Sequence, residues 1–276
     1  MSKSMLILLA KFSEISKLKW SKGLTNNQNS VGLTFENLLG KKADSEIFPD
    51  YQNIEIKCTQ RYSNFPMGLF TKAFDGPNIY ETNYILEKYG KNYSFIPNKK
   101  YLKVALVYNE EVLVNENYFF KLICSFEEQK IYINIYDKNK KLLDNPYIEF
   151  DTLKNHLLIK LSNLAVIYAS KIEINGCNHF RYYAINFFKI KGFETFIDLI
   201  TKGIITLNLE CRVSLSKDYG KQKNKGIEFK IQKDKIDMLF ERILDYDADK
   251  KEIKYYEVWY NILVGEFYDK RRKNEI

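Results

Sequence analysis

Asp50, Glu55 and Lys57 crowd into one short stretch, Pro49-Asp50-Tyr51-Gln52-Asn53-Ile54-Glu55-Ile56-Lys57. In Ile54-Glu55-Ile56-Lys57-Cys58 apolar and charged residues alternate, the pattern of a half-buried strand. A period of two puts Glu55 and Lys57 on one face, about 6.6 Å apart at roughly 3.3 Å per residue, and turns Ile54 and Ile56 to the core. Asp50, delivered by the turn Tyr51-Gln52-Asn53, can then close on Glu55 across a metal ion. Two carboxylates and an ammonium so arranged suit hydrolysis of a phosphodiester, which needs an activated water and neutralisation of the charge gathering on the phosphate. Asp50 and Glu55 are the candidate Mg²⁺ ligands, with the Ile56 carbonyl as a third. Lys57 is the candidate for orienting the water and stabilising negative charge, and Glu36 for holding an outer-shell water. Acid-x-Lys strands also occur on solvated faces, so spacing alone leaves both readings open.

The elements that must position these residues are legible as patterns. An amphipathic helix is expected from the N-terminus to about Lys19, and a short helix over Thr34-Phe35-Glu36-Asn37-Leu38-Leu39, closed by Gly40. Downstream, helices are expected at 80–89, 151–162 and 193–202, and strands at 101–108, 118–126 and 131–136. Leu164-Ala165-Val166-Ile167-Tyr168-Ala169 is a continuous apolar run suited to a central strand buried on both faces. Strands at 205–215 and 227–231 flank a loop carrying Lys217, Lys221, Lys223 and Lys225, a β-ribbon with a basic tip. Helical spacing recurs at 236–244 and 255–268. His156 falls in an amphipathic helix and His179 in a polar turn, neither with a partner at metal spacing.

Composition bounds the rest. The chain has 276 residues, 45% of them hydrophobic, enough for one large domain or two intimately packed lobes and too apolar for disorder. Lys and Arg outnumber Asp and Glu 43 to 35, a net charge of +8 that suits a polyanionic partner but equally a solvated basic surface. Cys58, Cys124, Cys177 and Cys211 form no CxxC pair, which fits reduced thiols in a cytoplasmic protein better than a zinc knuckle or redox dithiol. The apolar run Met5-Leu6-Ile7-Leu8-Leu9-Ala10 is cut short by Lys11, and no stretch reaches the roughly 20 apolar residues of a membrane span.

Four blocks in fixed order, Gly32-Leu33-Thr34-Phe35-Glu36-Asn37-Leu38-Leu39, Pro49-Asp50, Ile54-Glu55-Ile56-Lys57 and Leu69-Phe70-Thr71-Lys72, resemble the MvaI/BcnI family of type II restriction endonucleases, a PD-(D/E)XK family related to the MutH repair nickase. The similarity is strongest to its MvaI-like members. It continues through Tyr89-Gly90-Lys91, Tyr136-Asp137-Lys138, Phe150-Asp151, Ala165-Val166-Ile167 and Asn186-Phe187, spanning most of residues 5 to 231. The resemblance implies an α/β (α+β) fold, a mixed sheet flanked by helices with a recognition lobe containing a β-ribbon. It implies a monomer that cleaves double-stranded DNA with Mg²⁺ at a short, nearly palindromic site, paired functionally with a cognate methyltransferase. By motif match Asp50, Glu55 and Lys57 take the catalytic roles and Glu36 a supporting one. Residues 1–195 are expected to form mainly the catalytic lobe, and 196–276 mainly the recognition lobe with a helical C-terminal extension.

In the family, base recognition resides largely in the ribbon corresponding to 208–231. Glu210 and Arg212 match its acid-x-Arg pair, and Lys230 falls where relatives have Arg. A carboxylate accepts from cytosine N4 and Arg grips guanine O6 and N7, so a G·C-containing site is physically sensible. MvaI-like members place histidines before the glycine equivalent to Gly226, where this chain has Asn224 and Lys225, so the target sequence is left open. The loop lysines repel one another unless a phosphate backbone neutralises them. Arg61 is a candidate contact to the scissile strand or an ordinary surface arginine. Two alternatives accompany the restriction enzyme: a MutH-like strand nickase, and a catalytically inactive DNA-binding module, against which the intact Asp50, Glu55 and Lys57 speak.

Overall fold

The computed structural model describes residues 1–41, 48–60, 63–77, 82–213 and 222–256. It divides into two compact units, Met1–Asn64 with Ile159–Lys191 and Phe240–Ile276, and Phe65–Leu158 with Gly192–Leu239. The chain therefore passes between units at four points, not once near residue 195. The expected linear division is replaced by two interleaved lobes, because segments from both ends of the chain complete the first sheet.

The first unit is built on a six-stranded mixed sheet. Its path runs Glu252–Tyr255, Phe240–Asp247, Cys177–Ile190, Asn163–Ile174, Glu55–Gln60, and Ser21–Lys22 pairs with Cys177–Ile190 off that path. Only Asn163–Ile174 and Glu55–Gln60 run parallel, with Leu164 opposite Glu55 and Val166 opposite Lys57. Asn163–Ile174 is covered on both sides by neighbouring strands, and Leu164, Ala165, Val166, Ile167 and Ala169 are all buried, as expected of the apolar run. Two helices pack on this sheet. Lys3–Ser16 starts at Ser2, whose hydroxyl accepts from the Met5 amide, and buries Met5, Leu8, Phe12 and Ile15, a stripe at helical spacing. Ser30–Leu38 buries Val31 and Phe35, and the Tyr182 hydroxyl donates to the Val31 carbonyl at 2.8 Å. Both helices share one core with Ile54, Ile56, Ile167, Phe180, Phe187 and Leu244, so the strand bearing Glu55 and Lys57 is held from behind by apolar packing.

The second unit holds two five-stranded sheets. One contains the hairpin Tyr118–Ser125 and Lys130–Tyr136. The other runs Met67–Lys72, Gln222–Ile231, Ile205–Val213, Lys100–Leu106, Lys91–Asn92. The expected basic ribbon thus lies in the middle of a sheet, flanked by a strand on each side, and does not stand free.

Two sequence expectations are corrected. The pattern at 236–244 is not one helix: Ile236–Leu239 makes a single turn, and Phe240–Asp247 is a strand. Its pairing with Cys177–Ile190 shifts register between Phe187 and Phe188, opposite Leu244 and Arg242, which leaves Ile243 as an extra residue. A bulge of this kind lets consecutive Ile243 and Leu244 both be buried and so imitates helical spacing. His179 is not in a turn but on the strand Cys177–Ile190, opposite Lys22 and Ile172. Of the helix expected at 255–268, residues 257–268 lie outside the described residues; 252–255 is strand. Cys58, Cys124, Cys177 and Cys211 are all free thiols.

Candidate active site

Tyr51 and Ile54 hydrogen bond to each other in both directions at 3.0 and 2.9 Å, closing a tight turn over Gln52-Asn53 in which Gln52 takes φ 54°. This turn brings Asp50 back onto the start of the strand Glu55–Gln60. Asp50 Oδ2 accepts from the Ile56 amide at 3.0 Å, and Oδ1 accepts from Lys41 Nζ at 2.9 Å. Asn163 Nδ2 donates to the Asn53 carbonyl at 3.2 Å, fixing the turn to the neighbouring strand. Of the three expected site residues, Glu55 and Lys57 touch each other directly, and Asp50 reaches the backbone of the same strand at Ile56.

Glu55 is only 2% exposed, deeper than a half-buried strand face implies. Its Oε1 accepts from Lys57 Nζ at 2.7 Å. Oε2 is ion-paired with Lys160, whose Nζ lies at 2.9 Å. Lys160 also directs a hydrogen bond to the Phe48 carbonyl at 2.8 Å. Lys160 sits in the last turn of the helix Phe150–Leu161, immediately before the strand paired with Glu55.

Burial pushes the two carboxyls upward, and their partners decide the outcome. At Asp50 the Lys41 hydrogen bond, the Ile56 amide and the charge of Lys160 outweigh burial and hold the carboxyl below its ordinary range. At Glu55 burial, aided by the negative charge of Asp50, outweighs Lys57 and Lys160 and raises the carboxyl. Burial raises the Cys58 thiol, helped by the charges of Glu36 and Asp50. Glu36, half-buried on the helix Ser30–Leu38, is therefore electrostatically part of the cluster.

Lys41 and Lys160 were not anticipated. No motif points to Lys41. Lys160 had one signal: a basic residue ending a helix that leads into the central strand. Lys72, in the fourth family-like block, serves a different purpose, pairing with Asp75 at 2.6 Å in the second unit.

Residues 9–240 match the sequence profile of the MvaI/BcnI restriction endonuclease family. The chain belongs to that family. It is accordingly a site-specific DNA endonuclease. Two solved structures are similar. One, restriction endonuclease MvaI in complex with its cognate DNA substrate, is 27% identical, with 90% of this chain and 99% of that chain covered and a TM-score of 0.81. The other, MvaI in the absence of DNA, is 25% identical, with 88% and 97% covered and a TM-score of 0.54. No curated protein matches.

Glu210, Arg212 and Lys230, further candidates of this family enzyme, lie on a sheet of the second unit. Glu210 and Arg212 share a face of Ile205–Val213, and Arg212 Nε is 3.4 Å from Glu210 Oε1. Register toward Gln222–Ile231 shifts between Leu209 and Cys211, so Glu210 sits at a bulge opposite Gly226, whose φ is 73°. Bulges of this sort re-aim a side chain. Lys103 stands across from Glu210 on the other side, and Lys230 Nζ pairs with Glu228 at 3.0 Å. Lys223 and Lys225 lie on the backbone of the strand Gln222–Ile231, but their side chains, together with Lys217, Lys221 and Arg61, are outside the described residues. Among the described residues, no helix is long and apolar enough to cross a membrane.

Proposed function

We propose that this chain is a Mg²⁺-dependent type II restriction endonuclease that cuts double-stranded DNA at a short, pseudo-palindromic, G/C-containing site. The observation that carries the reading is the meeting of Asp50 with the head of the strand bearing Glu55, where Asp50 Oδ2 accepts from the Ile56 amide and the buried Glu55 carboxylate is met by Lys57 and Lys160. Membership of the family supplies the reaction, and the DNA in the MvaI complex supplies the substrate class.

The donor set suits a hard cation. Asp50, Glu55 and the Ile56 carbonyl offer oxygen only, a donor set that suits Mg²⁺, which takes one or two carboxylates and keeps much of its water, better than zinc. Bound by these residues, the ion supplies an activated water and charge neutralisation at the phosphate. Lys57, 25% exposed and already hydrogen bonded to Glu55, is the residue that orients the attacking water and donates from Nζ to a phosphate oxygen. Glu36 orders an outer water. Glu210, Arg212 and Lys230 read base edges, and Lys217, Lys221, Lys223, Lys225 and Arg61 hold phosphates. The enzyme works as a monomer in the cytoplasm, with a cognate methyltransferase protecting the host's own sites.

The test is digestion of plasmid DNA by the purified full chain with Mg²⁺, with an EDTA control, followed by sequencing of the ends. Discrete fragments with one common end sequence containing G·C pairs are expected. Random degradation, or cutting that EDTA leaves intact, contradicts the reading.

A further inference from the structure

Three ammonium groups, not the one of the acid-x-Lys motif, meet the two carboxylates of this site: Lys41 on Asp50, and Lys57 and Lys160 on Glu55. Lys41 and Lys160 are mostly buried, with side chains 16% and 15% exposed, so solvent screens these pairs less than it would surface ones. Lys57 has an evident use in the reaction. The other two do not.

We infer that Lys160, together with Lys41, is a positioning residue that acts as an internal counter-ion to the metal-binding carboxylates and has to be displaced when a divalent cation binds. The inference rests on the proposed assignment of Asp50 and Glu55 as metal ligands. With Glu36 counted, three carboxylates face three ammoniums and the cluster among the described residues is neutral. A dication added with every lysine in place would leave two uncompensated positive charges in a largely buried site, which Coulomb repulsion disfavours. Lys160 is shared between two acceptors, with Nζ 2.9 Å from Glu55 Oε2 and hydrogen bonded to the Phe48 carbonyl at 2.8 Å, so it keeps one partner when it gives up the other. Beside Lys57, the Lys160 ion pair adds to the compensation of the buried Glu55 charge before the metal arrives. A DNA phosphate offers the displaced ammoniums a new anion, so metal and DNA each favour the binding of the other. The cation site is then weak on free protein and strong on the complex, which restrains metal-driven cleavage until DNA is in place.

The experiment measures Mn²⁺ binding to the DNA-free full chain from the free-ion EPR signal, for wild type, Lys160→Met, Lys160→Arg, Lys41→Met and Glu55→Gln, each checked for folding by circular dichroism. Removing an ammonium should tighten Mn²⁺ binding by on the order of tenfold in Lys160→Met and Lys41→Met, whereas Lys160→Arg keeps wild-type affinity. A merely structural lysine would weaken binding when removed, so the sign is diagnostic. Unchanged or weaker binding in both folded Met variants, with binding still abolished by Glu55→Gln, overturns the counter-ion role and leaves the metal-ligand reading intact. Binding indifferent to Glu55→Gln overturns both.

Discussion

Asp75 shows how a single carboxylate in this protein is made to depend on its ionised form. Its Oδ1 takes Lys72 Nζ at 2.6 Å, while Oδ2 accepts from the Glu149 amide at 2.9 Å and from the Thr152 hydroxyl. Burial raises this carboxyl, but the Lys72 and Thr152 hydrogen bonds and the Glu149 amide outweigh it, so it lies below the ordinary value of 3.8. A folded-state pKa below the unfolded one stabilises the fold above the unfolded pKa, and the benefit fades as pH falls through the folded value. Asp75→Asn should therefore be less stable than wild type at pH 7, by about 1–3 kcal/mol for hydrogen bonds to a charged group. That deficit should shrink as both proteins are melted between about pH 5 and pH 2; a deficit constant across that range would count against the pairing. The same residue-scale view explains what the sequence disclosed of the active site. Asp50, Glu55 and Lys57 sit close in the chain, so strand periodicity places Glu55 beside Lys57 and the turn Tyr51–Ile54 returns Asp50 to the same strand. Lys160 reaches Glu55 only because the helix Phe150–Leu161 ends beside it, and a contact made by tertiary packing leaves no local pattern.

At the scale of elements, alternation and helical stripes were readable wherever one regular face met the core. The run at 164–169 and the helix Phe193–Thr201 follow their patterns, whereas Glu55–Gln60 forms the expected strand but buries Glu55 beside Ile56. Reading failed where a bulge broke the period, as at Ile243-Leu244, where two successive buried residues looked like consecutive turns of a helix. A second bulge has a job of its own at Glu210. It depends on Gly226, where φ is 73° and an added Cβ would lie 2.8 Å from the Lys72 carbonyl oxygen. Gly226→Ala should cost about 1–3 kcal/mol from backbone strain at positive φ. Because the strained residue lies opposite Glu210, altered discrimination between cognate and single-mismatch duplexes should accompany the loss. Denaturant unfolding and a mismatch cleavage series check the two effects; an Ala variant with wild-type midpoint would show that the bulge does not need glycine.

On the scale of the whole molecule, a net charge of +8 sets affinity for a polyanion without selecting its sequence. If at least six phosphates are held, the logarithm of the DNA binding constant should fall with the logarithm of salt concentration at a slope of about −5. Titration of a labelled duplex in EDTA at several salt concentrations measures it, and a slope near zero would mean that the basic residues are solvated surface. The discontinuous division of the chain was the least readable feature, since no linker, repeat or composition shift marks the four crossings between units. Both ends of the chain return to one sheet by pairing that only the folded molecule reveals. The central claim is that phosphodiester cleavage is performed at Asp50, Glu55 and Lys57, and its most direct test is single-turnover cleavage of a cognate duplex by Lys57→Ala with Mg²⁺. The rate should fall by about 100-fold or more while duplex binding in the absence of metal stays within a few fold. Cleavage at an undiminished rate would contradict the account.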